Sequence, residues 1–200
     1  TKLNDQLKSN RITGDPSQVR VLPLHGSMPT STQREIFNRP PRGVRKVVLA
    51  TNIAAPSITI VDIVYVVDCG NAKAKTYDAV NKLACLLPAW VSRASARQRR
   101  GRAGRVQDGV CYHLYTEHVH KEVFQEYQLP ELLRTPLEEL CLQIKSLKLG
   151  RIEAFLSKAL QPPDALAVSN AIDLLEIIGA LDTDEELTPL GEHLATLPVD

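Results

Sequence analysis

A chain of 200 residues that is 44% hydrophobic and 24% charged, with a formal net charge of +1, has the apolar content to bury a core and room for one medium domain or two small ones. No apolar run approaches the roughly 18–20 residues of a membrane-spanning helix, and the opening Thr1-Lys2-Leu3-Asn4 has no apolar signal core, so neither a membrane span nor a secretion signal is expected. The net charge conceals a division: residues 1–129 carry 19 Lys+Arg against 10 Asp+Glu, whereas residues 130–200 carry 5 against 13, so only the first part is suited to attract a polyanion.

In chain order, the first residues read as mid-helix, as in a piece of a longer protein. Val19 to Leu24 (VRVLPL) reads as a strand. Pro29-Thr30-Ser31-Thr32 then offers a proline and hydroxyl caps for a helix through Gln33 to Phe37. Val44 to Ala50 and Ile63 to Asp68 are β-branched runs with little polar alternation, the pattern of buried parallel strands. Ala72 to Leu87, in which Lys73 and Lys75 precede Asp78-Ala79-Val80-Asn81, predicts a projecting hairpin with a basic arm. Ser92 to Arg105 is helical in composition until its glycines, and Gly109 to Tyr115 is a final strand. Together these predict an open α/β sheet, which takes ligands at the carboxyl ends of its strands.

From Leu129-Pro130 only helical periodicity remains. Leu137, Leu140, Cys141, Ile144 and Leu147 form one apolar stripe, and Ala171, Leu174, Leu175 and Ile178 form another that stops at Gly179. Gln161-Pro162-Pro163-Asp164 separates the helices, and Glu185 to Gly191 is a short extended segment before a last helix. Three helices and a small wing predict a winged-helix arrangement. Cys69, Cys85, Cys111 and Cys141 are scattered without a C-x-x-C pair and read as buried apolar residues in a reduced compartment. His113, His118 and His120 lack a carboxylate-flanked helical pair, so no metal site is expected there.

The chemistry concentrates at Gln98-Arg99-Arg100-Gly101-Arg102-Ala103-Gly104-Arg105. With Arg93 and Arg97 this stretch sets six arginines in thirteen positions without an acid. Guanidinium groups keep their charge and offer a planar fork to phosphate oxygens, as stabilisation of a transferred phosphoryl group requires. Arg102 and Arg105 are three apart and on a helix would share a face. A basic surface helix or a polyanion patch is the plainer alternative.

The spacing Q-R-x-G-R-x-G-R resembles motif VI of superfamily 2 helicases, and Ala50 to Ala54 with Ser57 to Ile60 is similar to motif V of the DEAH-box group. Val67-Asp68-Cys69-Gly70, Tyr127 to Glu131, Arg134 to Leu137 and Leu187 to Gly191 continue the resemblance across nearly the whole chain. It points to the DEAH-box RNA helicases of the RNA helicase A type. The resemblance implies a second RecA-like domain at residues 1–118 lacking its first strand, a connector at 119–127 and a winged-helix, helicase-associated domain at 128–200. It implies that Arg102 and Arg105 are arginine fingers, that Gln98 faces the γ-phosphate and attacking water, and that Gly101 belongs to the same nucleotide-facing motif. Thr51 and Asn52 would touch the RNA backbone, Gly26 and Ser27 its phosphates, and Lys73 and Lys75 would lie on a strand-separating hairpin. Helix capping by Thr51-Asn52, an ordinary turn at Gly26-Ser27, solvated lysines at 73 and 75, strand termination at Asp68 and Gly70, and a core position for Trp90 are the corresponding structural readings.

No G-x-x-x-x-G-K-[ST] phosphate loop and no acidic D-E-A-H motif occurs, so ATP or another nucleoside triphosphate with Mg²⁺ would be held mainly by a first RecA-like domain elsewhere in the parent chain. The chain alone is expected to be inactive. Where motif V of the family usually continues with an acid, this chain has Ala55 followed by Pro56, and where the family commonly carries an acid directly after Ile60 it has Val61, with Asp62 one place later and therefore on the opposite face of a strand. A catalytically weak relative that binds RNA as a scaffold, and a DNA-binding winged-helix regulator, are the alternatives. The expected partners are single-stranded or structured RNA and that first RecA-like domain, with no membrane, in the nucleus or cytoplasm.

Overall fold

The computed structural model describes residues 16–52 and 59–197; the mid-helix start expected at Thr1 and the motif V segment from Ile53 to Ile58, with Ala55-Pro56, lie outside them. In chain order the elements are β1 (Val19–Leu24), α1 (Thr30–Arg34), β2 (Arg45–Ala50), β3 (Tyr65–Asp68), β4 (Asn71–Asp78), β5 (Leu83–Trp90), α2 (Arg93–Arg100), β6 (Val110–His113), α3 (Glu138–Ser146), α4 (Ile152–Leu156), α5 (Ala165–Ile177) and α6 (Pro189–Thr196). The chain divides into two compact units, one formed by Thr1–Ala72 and Trp90–Gln128, the other by Lys73–Ala89 and Leu129–Asp200.

In the first unit β1 and β2 pair in parallel with Leu24 opposite Ala50, and β3 and β6 pair in parallel with Asp68 opposite His113. The strands are parallel as expected, but among the described residues they form separate pairs rather than one continuous sheet. Nor are they buried on both faces: Tyr65 and Val67, alternate residues of β3, are each 66% exposed. Side chains two apart share a face, and nothing described covers this one, where the Tyr65 and Tyr112 rings stack 6.5 Å apart. Behind α1, a buried Lys46 ammonium donates to the Ile36 and Asn38 carbonyls at 2.8 and 3.1 Å and to Asp62 at 2.6 Å. This commits Asp62 to an ion pair beneath the helix.

A small core of Val91, Ala96 and Phe124 seats α2. The Ser92 hydroxyl caps that helix by accepting from the Ser95 N–H. Trp90 is not a core residue: it is 45% exposed and rests on Phe124 with ring centroids 5.6 Å apart. It lies at the end of β5, where the chain leaves the hairpin.

The second unit has the larger core, built from Leu137, Cys141, Ile144, Ile152, Leu156, Val168, Ala171 and Leu175 among others. Each fully buried aliphatic side chain contributes about 1.5–3 kcal/mol. The predicted stripes hold in part. Leu147 is 69% exposed because α3 ends at Ser146 and Lys148, at φ +55°, turns the chain away. Leu174 and Ile178 also lie on the outer face of the α5 stripe, each more than 40% exposed. Gly179 takes φ +74° just beyond α5, the left-handed position that favours glycine. The wing is reduced to one antiparallel bridge, Leu181 to Leu187, before Thr188 caps α6.

The hairpin of β4 and β5 forms as expected, yet its turn is fastened rather than free. Tyr77 and Ala79 pack on the core of this unit, and the buried Asn170 donates from Nδ2 to the Ala79 carbonyl at 2.7 Å. Asp78 closes the turn by accepting from Asn81 Nδ2 at 2.7 Å and from the Val80 N–H at 3.0 Å. Of the cysteines only Cys141 is buried; Cys69, between β3 and β4, is exposed, and Cys85 and Cys111, on the more covered faces of their strands, are half-buried. No described helix is long and apolar enough to cross a membrane.

Candidate functional site

Two of the sequence-predicted groups meet at the carboxyl ends of neighbouring strands. Gly26 and Ser27 form the turn directly after β1, with the Ser27 hydroxyl 2.9 Å from His25 Nδ1 and the Met28 N–H donating to the His25 carbonyl. Thr51 and Asn52 follow β2. The Thr51 N–H donates to Leu24 at 3.0 Å, which carries the parallel ladder one step further and holds both turns at the same end of the pair. All four residues are exposed.

The carboxyl end of β3 is organised around Asp68, whose side chain is fully buried. Its carboxylate accepts from the Gly70 N–H at 3.0 Å, from Arg99 Nη1 at 2.6 Å and from the Tyr115 hydroxyl at 3.1 Å. Burial pushes its pKa up, but these donors outweigh burial and hold the carboxyl below its usual range. The same carboxylate, after burial, pushes the Tyr115 phenol up, so that it stays a donor. Tyr115 Oη also lies 2.7 Å from His113 Nδ1. Gly70, at φ +73°, admits no side chain, because a Cβ would strike the Tyr115 ring. Asp68 and Gly70 therefore do more than end a strand.

Arg99 reaches from the last turn of α2 across to this hub and beyond it. Its Nη2 donates to Asn52 Oδ1 at 2.6 Å and to the Asn71 carbonyl at 3.2 Å. Two other arginines are likewise engaged within the unit: Arg97 pairs with Glu126 at 2.7 Å, and Arg93 donates to Glu126 and to the His120 and Lys121 carbonyls. The arginine-rich stretch is thus divided, with Arg93, Arg97 and Arg99 tethering α2.

Arg102 and Arg105 are not helical. The helix ends at Arg100, capped by Gly101, and both arginines lie in the turns that follow, because glycines at 101 and 104 interrupt the helix. Burial first, and then the Arg105 charge, pull the Arg102 guanidinium down from its usual value. Arg105 donates to the Thr59 hydroxyl. Gly109 packs where a Cβ would meet the carbonyl oxygens of Ala103 and Val64, so glycine is required for the turn to lie against β3 and β6. Gln98 and Gly101 are exposed at the end of α2. Lys73 and Lys75 project from alternate positions of β4, both exposed, in the second unit. They are not part of the cluster in the first unit.

Sequence reasoning missed Arg99, Asp68, Tyr115 and Gly109 as parts of the site. The signal was present for Arg99, inside the string Gln98 to Arg105, but its partners lie 31 and 47 residues away. Among the described residues no three His, Cys, Asp or Glu side chains gather as a metal site.

Comparison with known proteins agrees with this architecture. The family described as Helicase conserved C-terminal domain matches residues 2–107, and the helicase-associated domain (HA2), winged-helix, matches residues 171–199. The α/β, RecA-like domain is thus followed by a winged helix. The chain is 67% identical over 200 residues to the DExH-box ATP-dependent RNA helicase DExH1 of Arabidopsis thaliana, covering 100% of this chain and 20% of that protein. It is 63% identical over 198 residues to DExH3 of the same plant, covering 99% and 16%. It is 56% identical over 198 residues to the ATP-dependent DNA/RNA helicase DHX36 of Homo sapiens, covering 99% and 19%. The chain therefore spans about a fifth of the length of these relatives.

Proposed function

Because the chain belongs to the helicase conserved C-terminal domain family and resembles DExH-box ATP-dependent RNA helicases along its whole length, we propose that it is the second RecA-like domain and winged helix of a motor that couples nucleoside triphosphate hydrolysis to translocation on, and unwinding of, structured RNA. The observation that carries this is the pair of arginines, Arg102 and Arg105, set in the glycine-spaced turns directly after α2, with Arg102 half-buried and Arg105 exposed. Guanidinium groups keep their charge and offer planar forks of donors to an anion that carries several oxygens. A phosphoryl group in transfer is such an anion, and Arg102 and Arg105 act on it as arginine fingers while Gln98, one turn upstream, orients the attacking water.

ATP and its Mg²⁺ are held mainly by the first RecA-like domain. What this chain brings to that nucleotide is donors for phosphate oxygens, from Arg102 and Arg105. The bound nucleotide supplies the phosphoryl group and the metal its charge neutralisation; Arg102, Arg105 and Gln98 supply donors from the other side. Lacking a phosphate loop, this chain alone does not turn over ATP. Gly26, Ser27, Thr51 and Asn52 hold the RNA backbone at the carboxyl ends of β1 and β2, and Lys73 and Lys75 meet RNA along the hairpin. In domain terms residues 1–118, 119–127 and 128–200 are the RecA-like domain, a connector and the winged helix. Four unpaired cysteines fit a reducing compartment, nucleus or cytoplasm.

The test is RNA-stimulated ATP hydrolysis by the full-length parent. Arg102→Ala and Arg105→Ala each lower kcat by up to about 10³-fold, the lower end of arginine-finger effects, with far smaller changes in nucleotide affinity. Lysine at either position restores little, because it lacks the fork. A kcat within about twofold of wild type in both alanine variants, against that scale, returns these arginines to a basic surface patch.

A second reading has one observation in its favour. Asp62 is engaged with Lys46 at 2.6 Å and Val61 is exposed, so neither offers a carboxylate to the nucleotide. A weak ATPase that binds RNA as a scaffold follows from this, and a parent that binds RNA tightly without RNA-stimulated turnover would establish it.

A further inference from the structure

The contact between Arg99 and Asn52 fixes which way an amide faces. A guanidinium has only donors, so the Asn52 atom 2.6 Å from Arg99 Nη2 must be the carbonyl oxygen Oδ1. With that oxygen turned to the arginine, the NH2 end of the Asn52 amide faces away from it with two N–H donors to offer. The arginine is itself locked: Nη1 is held by the buried Asp68 carboxylate at 2.6 Å and Nη2 is shared with the Asn71 carbonyl at 3.2 Å. Asp68 in turn is fixed by the Gly70 N–H and the Tyr115 hydroxyl. A chain of charge-assisted hydrogen bonds therefore runs from the end of β3, through the last turn of α2, to the exposed end of β2. Its outer end is an amide whose oxygen is turned to the arginine, which leaves the two N–H donors on its other side.

We propose that Arg99 is a positioning residue that orients Asn52 as a dedicated hydrogen-bond donor to the phosphate and ribose oxygens of an RNA strand. Phosphate oxygens accept and cannot donate, so an amide free to rotate would present its oxygen to them part of the time and repel them. Arg99 removes that state. The same arginine stands three residues before Arg102, so the element that sets the RNA-facing amide also begins the turn that carries the proposed fingers. The proposal rests on the reading of Asn52 as an RNA contact, and the experiment separates the two.

Single-stranded oligouridylate, labelled at one end, is titrated into the full-length parent protein and into its Asn52→Ala, Asn52→Asp, Arg99→Lys and Arg99→Lys/Asn52→Ala variants, with melting temperatures measured alongside. Arg99→Lys keeps a cation beside Asp68 but cannot serve both Asp68 and Asn52, so it tests orientation where Arg99→Ala risks misfolding. Asn52→Ala weakens binding by about tenfold, the scale of one hydrogen bond to a charged group. Arg99→Lys weakens it by a similar factor, and the double variant is no weaker than Asn52→Ala, since the arginine acts through the amide. Asn52→Asp still accepts from Arg99 and so keeps the melting temperature, yet it binds RNA more weakly than Asn52→Ala because it turns a carboxylate toward phosphates. A purely structural role for Arg99 would not produce that order. Losses that add in the double variant, or wild-type affinity in Arg99→Lys beside a weakened Asn52→Ala, overturn the positioning role alone. Wild-type affinity in Asn52→Ala overturns the RNA contact itself and the proposal with it.

Discussion

The two units of this chain differ most in the size of their apolar cores. The second has the larger one, with Leu137, Ile144, Ile152 and Leu175 each at most 2% exposed, and it also buries Lys145, Asn170 and Glu185. The first has a small core of Val91, Ala96 and Phe124 and relies on buried ions: Asp68 with Arg99, and Lys46 with Asp62. Buried ion pairs return little net stability for their desolvation cost, but losing one partner is expensive. Here the Asp68–Arg99 pair also holds the Asn52 side chain at the candidate site. The acidic second unit carries the fold's reserve of hydrophobic stability and secures the hairpin turn.

This contrast is broken most severely at its polar end. Asp68→Ala leaves the Arg99 charge half-buried and unpartnered and removes an acceptor from Gly70 and Tyr115. It costs about 3–5 kcal/mol, the scale for breaking a buried pair, read as a loss in urea-unfolding free energy. Ile144→Ala in the second unit costs about 2–5 kcal/mol through lost burial and a cavity. If the units are as different as described, Asp68→Leu recovers part of the first loss, whereas no polar residue at 144 recovers the second.

Smaller effects sharpen the comparison. Asn170→Ala orphans the Ala79 carbonyl and costs about 1–3 kcal/mol, seen as faster amide exchange in the hairpin turn at residues 79–82. Asp68 also makes the first unit acid-sensitive. Its pKa is depressed in the fold, so its contribution is complete above the ordinary carboxylate range and is lost as pH falls below that range through the folded value. Asp68→Asn should flatten that acid limb in pH-dependent melting. Leu147→Ala, at an exposed position, changes stability by no more than about 0.5 kcal/mol.

The parts of this architecture that were legible in the sequence are those set by neighbours along the chain. The strand runs at Val19 and Val44, the Gly179 stop, the Thr188-Pro189 helix start and the hairpin around Asp78 each depend on a few adjacent residues, and each forms. The glycine-spaced arginines marked the turn that we propose faces the nucleotide, although the glycines that make the motif readable also end the helix, so Arg102 and Arg105 lie in turns instead. What could not be read depends on distant partners. Nothing local distinguishes Arg99, engaged with Asp68 and Asn52, from Arg100, which is exposed. Trp90 and Leu147 looked like core because periodicity does not record where an element stops. Cys69 looked buried because residue type does not record that it falls in the connection between two strands.

The central claim is that the first unit holds RNA by its backbone at the carboxyl ends of β1 and β2, through Thr51, Asn52, Gly26 and Ser27. Filter binding of oligouridylate and oligoadenylate to the full-length parent across a salt series, for wild type and Thr51→Ala, tests it most directly. Contacts to phosphate and sugar position a strand without reading its sequence. The two RNAs should therefore bind nearly alike, with log affinity falling against log salt by about 0.7 per phosphate neutralised, and Thr51→Ala should weaken both by the same factor. Strong preference for one base, or unchanged affinity for both RNAs in Thr51→Ala, would contradict the account.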